Sequence, residues 1–261
     1  MSMLLSSTNW EFAGFSAVLG QNDSVFPFSG VACSLFVSFQ RPSGCWPPDN
    51  MTLRIIGGEY RRQLLKTPPT RATRPYTDRV RQKVFDRLDA MLQGLRVADI
   101  FSGVGTMGIE SLSRGAQSCV FIEGDVKVHE ALVNNVDAIV RDKETVCWKT
   151  NIHRTSFRPN GAEACLPYDL VYFDPPYDQC PLLAPTQPLG KALKRLTKPN
   201  VTSADAMLIL RTPGKFDFVE SCGWRIDEHW PISTMNLWIL KKLPAAAEPE
   251  QKADETPSGT V

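Results

Sequence analysis

The sequence predicts an α/β fold, a doubly wound and mostly parallel seven-stranded sheet, preceded by a short N-terminal β-hairpin arm. Three observations lead there. Runs rich in β-branched and aromatic residues alternate with stretches of helical period from about residue 77 to residue 243, the signature of strands joined by crossover helices. Several of these runs, such as Val97-Ala98-Asp99-Ile100-Phe101 and Leu170-Val171-Tyr172-Phe173, are nearly unbroken in apolar character, as strands covered on both faces require. Asp99, Gly103, Glu123, Asn151 and Asp174 all fall at or just past the carboxyl ends of strands, where sheets of this kind bind ligands.

Residues 53–65 read as a hairpin bent at Gly57-Gly58, leading into Lys66-Thr67-Pro68-Pro69, which cannot be helical. Such an arm has little core of its own. Thr77 is an N-cap candidate, with Asp78 in the first turn of a helix whose apolar side is Val80, Val84, Leu88 and Met91 or Leu92. A strand at 97–101 and a helix at 107–114 follow, then strand 119–123, helix 126–139, and strands 145–149, 170–173 and 206–210. The last two strands lie near 224–230 and 236–241. They are too close for a helix between them, so one strand should run antiparallel.

At 261 residues and 43% apolar content the chain can bury one α/β core. Residues 1–50 carry one basic residue, Arg41, and neither the charge nor the apolar run of a signal peptide. They are expected to be a disordered extension, or a mis-assigned start with Met51 as the true one. Residues 51–76 form the arm, 77–243 the main domain, and 244–261 an acidic tail without apolar period, expected to be disordered. The seven cysteines are scattered and never in C-x-x-C spacing, which disfavours zinc and a disulfide framework and fits a reducing cytoplasm. No run approaches the roughly 18 to 20 apolar residues of a membrane span. His129, His153 and His229 lack metal or triad spacing, so no metal is expected, and no Walker sequence follows the glycines.

Two motifs carry chemistry. In Tyr172-Phe173-Asp174-Pro175-Pro176-Tyr177 a buried strand meets a rigid turn. The prolines fix φ and remove two donors, so carbonyls around Asp174 and Pro175 should escape helix formation and stay free to accept from a ligand. A carboxylate, a carbonyl and the Tyr177 ring suit a planar base held by its exocyclic amino group. Upstream, Gly103, Gly105 and Gly108 satisfy G-x-G-x-x-G, which alone would equally announce a dinucleotide. Asp99, four residues before the first glycine, favours a ligand bearing a positive amino acid moiety and would repel a pyrophosphate. S-adenosylmethionine is such a ligand, and Glu123, closing the next strand, is placed to grip ribose hydroxyls.

Charge is uneven along the chain. Between Met51 and Leu243 there are 27 Lys and Arg against 21 Asp and Glu, and residues 51–100 hold 11 basic against 5 acidic. Arg54, Arg61, Arg62, Lys66, Arg71, Arg74, Arg79 and Arg81 crowd the turn-rich arm and its exit. A solvated basic face is one reading; a contact surface for a phosphate backbone is the better one.

Together these residues resemble the RsmD family, guanine-N2 methyltransferases of bacterial small-subunit (16S) ribosomal RNA. The resemblance covers about residues 51–243. It rests on Arg54-Ile55-Ile56-Gly57-Gly58-Glu59-Tyr60-Arg61, on Thr73-Arg74-Pro75-Tyr76-Thr77-Asp78-Arg79-Val80-Arg81, on Asp99 through Gly103 with Gly108 through Gly115, and on Asp174-Pro175-Pro176-Tyr177. It implies the Rossmann-like fold of class I S-adenosylmethionine-dependent methyltransferases and a monomer acting on ribosomal RNA, in an assembling small subunit. It implies that Asp99, Phe101, Gly103, Gly105, Glu123, Asn151, Thr77 and Asp78 hold S-adenosylmethionine. Asp174, the Pro175 carbonyl and Tyr177 would serve catalysis, and Arg54, Arg61, Arg62, Arg71 and Arg74 would bind RNA. Two places depart from the family's pattern: Gly124 stands where a bulkier residue is usual, and Arg211-Thr212-Pro213 where the family is more acidic or histidine-bearing. The alternatives are an amino-methyltransferase of DNA adenine (N6) or protein glutamine, and a noncatalytic RNA-binding assembly protein of the same fold.

Overall fold

The computed structural model describes residues 53–68 and 76–244. Expectations for residues 1–50, the start at Met51, Arg71, Arg74 and the tail lie outside the described residues.

The strands are those of the expected fold. β3 (Arg96–Ile100), β4 (Ser118–Glu123), β5 (Glu144–Lys149), β6 (Tyr168–Phe173), β7 (Thr202–Pro213), β8 (Trp224–Ile232) and β9 (Met235–Lys242) form one sheet in the order β5-β4-β3-β6-β7-β9-β8. Neighbours from β5 to β7 pair in parallel, and β9 alone is reversed, antiparallel to both β7 and β8. β3, β4 and β6 are buried on both faces, which is why they read as unbroken apolar runs.

Alternate residues feed two cores. Val97, Leu170, Tyr172 and Ile209 face one side, covered by α1 (Asp78–Leu88), α2 (Thr106–Ser113) and α3 (Val126–Ile139). Ala98, Ile100, Val171 and Leu208 face the other, covered by α4 (Pro188–Leu196) and the 152–165 segment. Thr77 caps α1, its Oγ1 accepting from Val80 N at 3.4 Å, and Asp125 caps α3 from Val128 N at 2.9 Å. α1 gives way to a 3-10 turn at Asp89–Met91, so Leu92 is buried and Met91 exposed.

Two elements differ from expectation. α4 was not anticipated: it is nine residues long, opened by Pro188 at its first position and buried through Leu189, Ala192, Leu193 and Leu196. β7 runs well beyond 206–210 at both ends: Thr202 pairs with Tyr168 of β6, and β9 pairs with β7 as far as Pro213. That extension carries Arg211 into the strand.

The hairpin strands β1 (Leu53–Arg54) and β2 (Leu64–Leu65) make two antiparallel pairs only. What fixes the arm is its bend, which docks on α2. Buried Glu110 accepts from Ile56 N and Gly57 N, each at 2.8 Å, and pairs with Arg114 at 2.9 Å and the fully buried Arg81 at 3.7 Å. Ser113 Oγ accepts from Tyr60 N at 2.8 Å and donates to Gly57 O at 2.6 Å. Gly58 has φ +73°, and a Cβ there would sit 1.9 Å from Ser113 O, so only glycine fits. Leu53, Ile55, Tyr60 and Leu65 join the core beneath α1 to α3. Among the described residues no helix is long and apolar enough to cross a membrane.

Candidate active site

The strand order turns back between β3 and β6, which opens a crevice beyond their carboxyl ends. Asp174 N bonds Ile100 O across it at 3.2 Å. Asp99 points from β3 toward α2, 2% exposed, with Oδ2 accepting from Gly108 N at 2.8 Å. The glycine turn between them starts α2 at Gly105, whose φ of +89° is left-handed. In this turn Ser102 Oγ is buried and has no hydrogen-bond partner among the described residues. Glu123 closes the far wall: its carboxylate accepts from Gly103 N at 2.9 Å, Gly124 N at 2.8 Å and Asp125 N at 2.9 Å.

Asp174 lies on the other side. Its Oδ1 accepts from Arg211 Nε at 2.5 Å, and the Arg211 guanidinium sits 4.3 Å from the Tyr76 ring centroid and 5.5 Å from that of Tyr177. The turn differs from expectation in one respect. A 3-10 helix, Tyr177–Leu183, begins directly after the prolines, and Pro176 O is drawn into it, accepting from Gln179 N at 2.9 Å. Missing proline donors do not stop a carbonyl from accepting. The Pro175 carbonyl takes no backbone N–H among the described residues.

Charge in the crevice is unbalanced. Burial, reinforced by the charges of Asp174 and Glu123, pushes the Asp99 carboxyl up to about 8, against the lowering effect of the Gly108 N–H. Burial likewise raises Asp174 to about 6, with Arg211 holding it down. Three carboxyl groups and one guanidinium suit a ligand with positive charge, whose arrival favours the ionised form of Asp99, and reject a pyrophosphate.

The other anticipated residues take varied positions. Asn151 follows β5, exposed, its Oδ1 accepting from His153 N at 3.0 Å. Phe101 has φ +60° and stacks edge-on against Phe173 at 5.6 Å. Thr77 spends its hydroxyl on the α1 cap, and the Asp78 carboxylate goes to Arg54 at 3.2 Å and Arg81 at 2.6 Å. Those bonds give Thr77 and Asp78 structural work. Arg54, Arg61 and Arg62 line a cleft of about 430 Å³ with Asp78, Arg79 and Gln82. Arg211, noted from sequence only as a departure from the family's pattern, and Tyr76, Ser102 and Glu110 were given no site role from sequence. The signal for Arg211 was a lone cation closing the apolar run Met207-Leu208-Ile209-Leu210.

The model of the family described as conserved hypothetical protein 95 matches residues 53–227. Ribosomal RNA small subunit methyltransferase D of Escherichia coli K12 is 34% identical over 125 residues, 48% of this chain and 60% of that protein. The chain belongs to the RsmD family.

A putative rRNA methyltransferase of Bacillus subtilis, YlbH, is 29% identical over 136 residues, 51% of this chain and 71% of the relative. In fold, a putative methyltransferase from Escherichia coli, yhhF, superposes with a TM-score of 0.61 at 23% identity, over 74% of this chain and 99% of its own. In this RsmD-family chain the motif blocks have physical tasks: residues 54–61 include the docked bend of the hairpin, 77–81 open α1 and bury Arg81, and 108–115 hold most of α2 and its C-cap, which receive both.

Proposed function

We propose that this protein transfers the methyl group of S-adenosylmethionine to the exocyclic N2 amine of a guanine in small-subunit ribosomal RNA. The observation that carries the reading is the convergence of Asp99, Glu123 and Asp174 on one switch-point crevice with Tyr177 at its rim. S-adenosylmethionine, when bound, supplies an activated methyl group on a sulfonium. Asp99 and the glycine turn would hold its amino acid end, Glu123 its ribose and Asn151 its adenine edge.

The chain's own residues then have to place an amine. Arg211 occupies Oδ1 of Asp174, which leaves Oδ2, together with the Pro175 carbonyl, to accept the two amino hydrogens. A base amine is a poor nucleophile because its lone pair is delocalised into the ring. Two acceptors on its hydrogens favour the pyramidal form and fix it in line with the methyl group, so positioning and electrostatics supply the acceleration. As the N–C bond formed, the methyl–sulfur bond would break with its electron pair left on a neutral thioether, and the proton lost by the amine would pass along its hydrogen bond to Asp174 and on to water. Tyr177, 36% exposed, offers a ring face to the extruded base. The arm cleft of Arg61, Arg62 and Arg79 would take phosphates of the same RNA. The relatives' names, which concern ribosomal RNA, support the substrate class.

Single-turnover methylation of small-subunit RNA, with mass-spectrometric mapping of the methylated base, tests the proposal. Asp174→Ala should lower turnover by on the order of a hundredfold with cofactor affinity nearly intact. Wild-type turnover in that variant, or methyl groups found away from guanine N2, refutes the assignment.

A further inference from the structure

The 174–177 turn does not stand alone. β6 and β7 pair in register through Phe173 and Leu210, so Asp174, the first residue past β6, lies beside Arg211, which is still within β7 and paired with Leu237 of β9. Arg211 is 3% exposed, and its guanidinium lies in a stack with Tyr76 on one side at 4.3 Å and Tyr177 at 5.5 Å. We propose that Arg211 is a positioning residue for methyl transfer: one guanidinium orients the Asp174 carboxylate by hydrogen bonding and props the Tyr177 ring by stacking. This inference rests on the functional reading given above and adds a group to it.

The chemistry of the side chain explains why arginine stands here. A guanidinium is planar, so it can lie against aromatic rings while its edge donates to a carboxylate, which an ammonium cannot do. The charge matters as much as the shape. Asp174 faces Asp99 on β3, itself beside Glu123 on β4, as well as Tyr76 ahead of α1 and Cys180 with Asp178 in the 3-10 helix. All of these are acids or neutral groups, and the cation that bears on Asp174 is Arg211. With Arg211 in place the carboxyl sits at about 6, below neutrality, despite its burial. An uncompensated carboxyl in the same surroundings would be protonated at neutral pH, and a protonated Asp174 loses the acceptor that the amine requires.

Two measurements separate this role from simple packing. The pH profile of single-turnover methylation should show an acid limb set by Asp174. Arg211→Met should move that limb upward by about 1 to 3 pH units, so that raising the pH recovers part of the lost rate. Arg211→Lys restores the charge without the planar stack, and should return the limb toward its wild-type position while KM for RNA stays raised. A loss of rate that is uniform with pH in Arg211→Met, the limb unmoved, overturns the proposal. The second readout needs no RNA: carboxyl-carbon NMR of Asp174 should titrate at a higher pH in Arg211→Met than in wild type, and an unchanged midpoint overturns the proposal equally. If the wild-type protein transfers no methyl group to ribosomal RNA, the functional reading fails, while the titration still decides whether Arg211 governs Asp174.

Discussion

Cofactor binding should expel a proton from Asp99. The free carboxyl is held at about 8, chiefly by burial and then by the charges of Asp174 and Glu123, so at pH 7 it is roughly nine-tenths protonated. A ligand bringing a sulfonium and an ammonium into the crevice favours the carboxylate. Binding at pH 7 should therefore release about 0.9 proton per site from Asp99, and the deprotonation it forces costs about 1.4 kcal/mol of affinity. Titration calorimetry of S-adenosylmethionine in buffers of different ionisation heat reads the proton count directly. Asp99→Asn retains an oxygen to accept from Gly108 N but has no proton to lose, so the count should fall to zero and affinity by roughly 1.5 to 3 kcal/mol. The shift also has a sign for folding. An acid whose folded pKa lies above its unfolded value of about 3.9 binds more protons when folded, so its contribution to stability declines as pH rises from about 4 through 8. Heats that do not depend on the buffer in the wild-type protein would falsify the argument, because they require Asp99 to be ionised already.

The remaining expectations concern the arm and the base. Glu110→Ala removes the acceptor of two backbone N–H groups and leaves buried Arg81 facing an empty site, which should cost about 3 to 5 kcal/mol in chemical denaturation; a loss under about 1 kcal/mol contradicts the docking role. Reversing Arg61 and Arg62 to Glu should flatten the salt dependence of RNA binding by a log–log slope of about 0.7 to 0.9 per lost contact, with cofactor affinity unchanged; an unaltered slope makes the cleft a solvated face. Tyr177→Ala should weaken placement of the base by about 1 to 3 kcal/mol, and Tyr177→Phe should keep most of the rate; a loss in Tyr177→Phe as large as in Tyr177→Ala would mean that the hydroxyl is what matters.

The sheet was legible in the sequence because its central strands are buried on both faces and announce themselves as apolar runs, each ending in a polar residue. Asp99, Glu123 and Asp174 were found for that reason. Arg211 was passed over because its meaning lies in β-sheet register: nothing local in Leu210-Arg211-Thr212 says that Asp174 and two tyrosine rings surround it. α4 was overlooked although Leu189, Ala192, Leu193 and Leu196 fall at helical spacing behind a first-position proline. The basic arm was legible as composition only. Charge counting finds the arginines of residues 54–81 but cannot tell the fully buried Arg81, spent on Glu110 and Asp78, from the cleft-lining Arg61 and Arg62.

Helix α2 joins the two halves of the site. Its first turn donates Gly108 N to Asp99, and its last turns present Glu110 and Ser113 to the hairpin bend, so the crevice and the arm are referenced to one eight-residue element. Asn135 of α3 ties the same two places from the side. Its Oδ1 accepts from Lys66 N at 2.8 Å, and its Nδ2 donates to Lys66 O and to Val104 O in the glycine turn at 3.0 and 3.1 Å. Methyl transfer demands that donor and acceptor meet within a few tenths of an ångström. A hairpin with two strand pairs could not supply that precision by itself. Under the proposed function, anchoring it by hydrogen bonds to the helix that follows the glycine turn would measure an RNA gripped by the arm from the same frame as the methyl donor.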